Sequence, residues 1–115
     1  MRTFTTPSFA FTLLVVMWHV LSGNVALAAD MTAARNKVQA LCQVCHGIDG
    51  VAILAEAANL SGQQYGYIVT QLRAYRSGAR KDPQMNIVAK SLTDADIDNM
   101  AAWYSAIKVT VEPPK

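Results

Sequence analysis

Two cysteines, Cys42 and Cys45, and the histidine that follows them, His46, fall within the five residues "CQVCH". The chain has no other cysteine, and its only other histidine is His19. Two thiols three positions apart, with an imidazole next in line, support three chemistries. As a disulfide of the redox type, the pair would belong in a strand–helix–strand setting. As part of a zinc site, the three residues would still need a fourth ligand, which a carboxylate or water would have to supply. The third reading is covalent attachment of a haem. Each thiol adds to one of the two vinyl groups on one edge of the macrocycle, and His46 is then held under the iron as its proximal ligand. This reading employs all three residues, and we adopt it: one haem c per chain, attached through Cys42 and Cys45.

The other face of the iron needs a donor. With no second histidine beyond His19, methionine is the natural candidate, and Met31, Met85 and Met100 lie downstream of the first 28 residues. Met31 stands at the frayed start of the mature chain. Met100 belongs to an apolar helical stripe, where core packing explains it. Met85 lies in the polar stretch "KDPQMNIVAK", just after Pro83, with no packing duty of its own. A thioether from such a loop gives His46/Met85 coordination, which favours Fe(II) and raises the potential. Lys81, Lys90 or an open distal site are the alternatives.

What must hold these residues is a small domain. Residues 1–28 have the layout of a secretory signal peptide: Arg2, the short apolar run "FAFTLLVVMWHVL", a break at Ser22-Gly23-Asn24, and small residues at Ala26 and Ala28. The run is short of the roughly 18 or more residues of a spanning helix. Cleavage is expected after Ala28 or Ala29, with a retained N-terminal anchor as the rival. Residues 29–115 then form one domain with 9 Lys+Arg against 8 Asp+Glu, too mild a charge for nucleic acid or an anionic membrane. Stable membrane insertion is not expected after cleavage, and the expected location is the periplasm. A chain this short often recruits a cofactor to complete its core. The tail 112–115, "EPPK", is read as flexible.

Periodicity predicts an all-α fold with three main helices. The first runs from about Thr32 to Leu41, with Ala33, Lys37, Val38 and Leu41 at helical spacing. The second begins at an expected capping box, Ser61 to Gln64, carries the stripe Tyr65, Ile68, Leu72 and Tyr75, and stops at Gly78. The third starts at Thr93, with Asp94 and Asp96 in its first turn, and buries Ile97, Met100, Ala101, Tyr104 and Ile107. Loops are expected over 47–60 and 79–90.

These segments in this order, "CQVCHG", "NLSGQ", "QLRAYRSGAR", a loop methionine and "LTDADIDNMAAWYSA", resemble the class I cytochromes c. The likeness is greatest to the small bacterial monohaem proteins and to the halves of dihaem ones. It covers about Ala33 to Ile107. It implies the cytochrome c fold, in which first and last helices cross with haem gripped between them, and a single-electron carrier in which Met85 is the distal ligand. Trp103, with Ala101 and Ala102, matches the segment that packs the last helix on the first. The family commonly places a proline two residues before the leucine of "NLSGQ", and its carbonyl orients the haem histidine. Here that position is Ala58, whose backbone carbonyl is expected to do the same.

Further residues have open roles. Val51-Ala52-Ile53-Leu54 is either pocket lining or packing. Tyr65, Tyr67 and Tyr75 are either core residues or donors to haem propionates. Arg73, Arg76 and Arg80 make one basic face, with Arg80 a possible propionate partner. The expected function is electron shuttling between redox proteins, a periplasmic dehydrogenase or reductase or a membrane oxidase, through brief encounters of small buried area. The same haem chemistry would serve a permanent subunit of such a complex, and an open distal site would instead make a haem sensor. The loops carry no acid–base pair or nucleophile triad of an enzyme.

Overall fold

Asp30 opens the described chain: its carboxylate accepts from the amides of Thr32 and Ala33 at 2.9 Å each, satisfying donors that a helix start leaves unpaired. The computed structural model describes residues 29–115, so the expected signal peptide, 1–28, lies outside the described residues. Helix α1 follows as Met31–Leu41. Cys42 interrupts it, and a single further turn, α2, covers Gln43–His46. Gly47 ends that turn at φ 73°, a conformation that costs little only without a side chain. A loop leads to α3, Tyr65–Ser77, stopped by Gly78 in the left-handed region as expected. Helix α4 is Pro83–Lys90 and α5 is Asp94–Ser105. The described residues contain no strand, in agreement with the all-α expectation.

Two local expectations are corrected. Ser61 does not cap α3, whose N-cap residue is Gln64, with no side-chain cap. The Ser61 hydroxyl donates instead to the Asp49 carbonyl at 2.5 Å, and the next amide, Gly62 N–H, donates to the Tyr104 carbonyl at 2.9 Å. Tertiary partners have taken the groups that a capping box would use locally. The expected loop 79–90 is helical from Pro83 to Lys90. Asp82 caps α4 by accepting from the Gln84 and Met85 amides, and Pro83 stands where its missing N–H is no loss. Met85 therefore sits on a helix, not a loop.

Helix α5 has the capping box in full. The Thr93 hydroxyl accepts from the Asp96 amide at 3.1 Å, and the Asp96 carboxylate accepts from the Thr93 amide at 3.0 Å. The same carboxylate reaches Lys37 of α1 at 3.1 Å, and Asp30 N–H donates to Asn99 of α5 at 3.0 Å. Those contacts flank the α1–α5 packing, where Ala34, Val38 and Ala101 are wholly buried. Small side chains let the two helices approach closely. The inward face of α1 is thus Ala34 and Val38, while Ala33 is exposed.

Helix α3 packs on both α4 and α5. Its stripe is inward at Ile68, with Leu72 and Tyr75 half-buried against the core, but Tyr65 is exposed. Every expected core position of α5 holds: Ile97, Met100, Ala101 and Tyr104 are buried, and Ile107 packs beside them. Among the described residues the buried core is nine residues, closed by Ala89 and Leu92. So few core side chains leave room for a cofactor to complete the interior.

Candidate haem site

A cavity of about 370 Å³ opens between these helices. Cys42, Cys45 and His46 line it from the α1–α2 junction, and Met85 and Val88 line it from α4. Leu41, Leu54, Leu60, Ile68, Leu72, Leu92 and Met100 add apolar wall. The exposure of Leu41 and Leu54, 38 % each, is explained by this cavity. The cavity therefore brings the three motif residues and Met85 to one space.

His46 is fixed from below. Its Nδ1 lies 2.8 Å from the Ala58 carbonyl oxygen. A carbonyl can only accept, so Nδ1 carries the proton, and Nε2 keeps the lone pair a metal would use. The expectation that Ala58 serves without a proline is met in geometry. The Ala58 segment is tied down by other means. Leu60 N–H donates to Gly50 O at 2.7 Å, Ser61 N–H donates to the same oxygen at 3.2 Å, and Ala52 N–H donates to Asn59 Oδ1 at 2.8 Å. Gly50 adopts φ 78° to allow this close approach of the two turns.

Two aromatic donors of α5 hold the segment just after His46. The Tyr104 hydroxyl donates to Gly47 O at 3.0 Å, and Trp103 Nε1 donates to Ile48 O at 2.8 Å. Burial pushes the Tyr104 hydroxyl well above its ordinary range, so it remains a proton donor at any physiological pH. The sequence reading placed these two side chains in the core and missed their polar role. A buried tyrosine or tryptophan usually finds a partner for its polar atom, which was the available signal.

Burial, with a smaller contribution from neighbouring Cys45, pushes the Cys42 thiol up to about 12. The donor set fits haem: two sulfurs, an imidazole of defined tautomer and a thioether around one largely apolar cavity.

The undecided residues now sort themselves. Leu54 lines the cavity, whereas Val51 and Ile53 are exposed, and the backbone amides of Ile53 and Leu54 donate to Cys45 O. Tyr67 and Tyr75 line the cavity, but Tyr65 does not. The expected basic face divides. Arg76 is taken up by Asp94 at 2.6 Å and Leu92 O at 3.0 Å, and Arg73 stands 3.9 Å from both Asp94 and Asp98. Only Arg80 reaches the cavity, bonded to Gln71 at 2.6 Å with its guanidinium 4.6 Å from the centre of the Tyr75 ring. Met100 is in the core as expected, and Met31 is 42 % exposed at the start of α1.

Comparison with known proteins adds an independent line. Residues 32–107 match the family model described as Cytochrome c. The chain is similar to cytochrome c-554(548) of Halomonas halodenitrificans, 38 % identical over 82 residues that cover 69 % of this chain and 98 % of that protein. It is also similar to cytochrome c4 of Stutzerimonas stutzeri, 31 % identical over 100 residues, and spans 79 % of itself but 47 % of that relative. A protein named thiosulfate dehydrogenase electron acceptor from the same species is 37 % identical over 73 residues, covering 63 % of this chain and 34 % of that one. The match thus takes in nearly all of the first relative and less than half of the other two. With the motif, the helical frame and the family model in agreement, the chain belongs to the cytochrome c family, as a class I electron carrier with one covalently attached haem c.

Proposed function

We propose that the chain is an exported, freely diffusing one-electron carrier, with His46 and Met85 as the two axial ligands of its haem iron. The observation that carries this reading is the shared cavity. His46 lines it with its tautomer set by Ala58 O, and Met85 lines it from α4, held by the Asp82 cap. Bound haem supplies an iron that cycles between Fe(III) and Fe(II), and a neutral thioether favours the reduced state. The polypeptide supplies a fixed ligand set and an apolar wall, so little has to rearrange when an electron arrives or leaves. Arg80, which lines the cavity and stacks on Tyr75, would be the residue to offset the negative charge of a haem propionate.

The layout of residues 1–28 supports export to the periplasm, and the described residues contain no helix long and apolar enough to cross a membrane. The partners are other redox proteins. The relative named for its role with thiosulfate dehydrogenase supports a periplasmic dehydrogenase as donor. A reductase or membrane oxidase would then be the acceptor.

Production in a host that matures c-type cytochromes tests the reading. The expected product has lost residues 1–28 or 1–29, has gained the mass of one haem, and shows the weak far-red band of sulfur-bound ferric iron. Met85→Ala is expected to keep the haem attached, lose that band, lower the potential and admit carbon monoxide to the ferrous iron. An unchanged spectrum and potential in Met85→Ala would exclude Met85 as ligand.

A further inference from the structure

Helix α4 is eight residues long, too short to hold its place by propensity alone. Its C-terminal half is docked by burial: Ala89 is completely buried, and Leu92 just beyond is 4 % exposed. The N-terminal half, which carries Met85, has no such anchor. Pro83 and Gln84 are exposed. What ties that end to the rest of the protein is polar, and it converges on one side chain.

Asn86 Oδ1 accepts from the Asp82 amide at 2.8 Å. Its Nδ2 donates to Tyr75 O at 2.6 Å and to Arg80 O at 2.9 Å. One half-buried amide thereby joins the C-terminal turn of α3, the loop 79–82 and the first turn of α4. The Asp82 carboxylate, positioned by that same bond to its amide, accepts from Met85 N–H at 2.8 Å. From the residue next to Met85, a chain of hydrogen bonds runs through Asp82 back to the Met85 backbone.

We propose that Asn86 is a positioning residue for the distal ligand: its amide sets the N-terminal end of α4 so that the Met85 thioether is presented to the iron. Without it, α4 stays attached at Ala89, while its Met85 end loses its registration with α3. The inference rests on the assignment of Met85 as ligand, and the test separates the two.

Haem-loaded Asn86→Ala, Met85→Ala and Thr93→Ala proteins are compared with the parent. The readouts are the far-red sulfur–iron band of the ferric form and the rate of carbon monoxide binding to the ferrous form. Thr93→Ala removes the cap of α5 at a comparable cost in stability but leaves the Asn86 contacts alone. The expected result is that Asn86→Ala retains its haem, loses most of the band and binds carbon monoxide faster by on the order of tenfold or more, as expected from unsatisfied part-buried polar groups. Thr93→Ala stays at parental values. Asn86→Gln, which can still donate and accept, recovers part of the band. Equal bands and rates in Asn86→Ala and Thr93→Ala, with Met85→Ala clearly altered, would overturn the role of Asn86 alone. An unaltered Met85→Ala would overturn the ligand assignment and this inference together. Should Asn86→Ala give no folded holoprotein, Asn86→Asp keeps the shape and the acceptor but loses both donors, and the same two outcomes decide.

Discussion

Gly50→Ala is the substitution that most directly tests how the proximal side of the site is held. Gly50 sits at φ 78°, and an added Cβ would fall on the Ser61 amide nitrogen and within 2.9 Å of the Leu60 carbonyl carbon. Both are backbone atoms, so no side-chain rotation can make room. Adopting the left-handed conformation costs an alanine roughly 1–2 kcal/mol. Forcing a methyl into a closed contact adds about 1–3 kcal/mol. The expected loss is therefore about 2–5 kcal/mol, a large share of the stability of a domain this small. The strain also has a direction. Gly50 O receives the amides of Leu60 and Ser61, so relief of the clash pushes away the turn that carries the Ala58 carbonyl, and with it the restraint on His46. Guanidinium unfolding of the haem-loaded protein measures the first effect, with the slope expected to stay at the parental value. The ferric spectrum and the potential, read well below the transition, measure the second. A loss under about 1 kcal/mol, with potential and spectrum unchanged, would refute the idea that close approach of the 47–50 and 58–62 turns holds the histidine.

Gly66, the second residue of α3, is the contrasting glycine: a Cβ there meets nothing within 4 Å, so Gly66→Ala is expected to raise stability by up to about 1 kcal/mol in the same unfolding assay. Tyr104→Phe removes a buried hydroxyl donor from Gly47 O, leaving only the Gly50 amide at 3.3 Å on that oxygen; about 1 kcal/mol of stability should be lost with the helical content intact. In Asp96, burial alone would raise the carboxyl, but the Thr93 amide and hydroxyl and the Lys37 ammonium outweigh it and hold it below its ordinary value. A depressed carboxylate contributes stability above the unfolded value of about 3.9 and loses it as pH falls through the lower folded value. Thermal midpoints should accordingly drop from pH 5 towards pH 3 (both about), and less so in Asp96→Asn, whereas an equal drop in both proteins would remove Asp96 from the acid response.

Local chemistry made much of the protein legible in its sequence. "CQVCH" named its cofactor because the spacing of thiols and imidazole answers to the haem edge itself. Thr93 with Asp96, and Gly78, marked helix ends, because caps are satisfied by residues close in sequence. The apolar stripe of α5 was readable for the same reason. Asp82 before Pro83 is a start signal for α4 as well, but eight residues in a polar stretch carry too short an apolar stripe to mark a helix by periodicity. Other features required the folded chain. Ser61 had the right neighbours for a capping box, yet its hydroxyl went to Asp49 and the next amide to Tyr104, partners 12 and 42 positions away in sequence. The division of the arginines, with Arg73 and Arg76 turned to α5 and Arg80 left to the cavity, depends on where α3 crosses its neighbours. So do the donations of Trp103 and Tyr104 to the carbonyls behind His46, and the seating of Asn86 among three segments. Backbone carbonyls are the same at every position of a sequence, and only the tertiary structure decides which of them a distant side chain will meet.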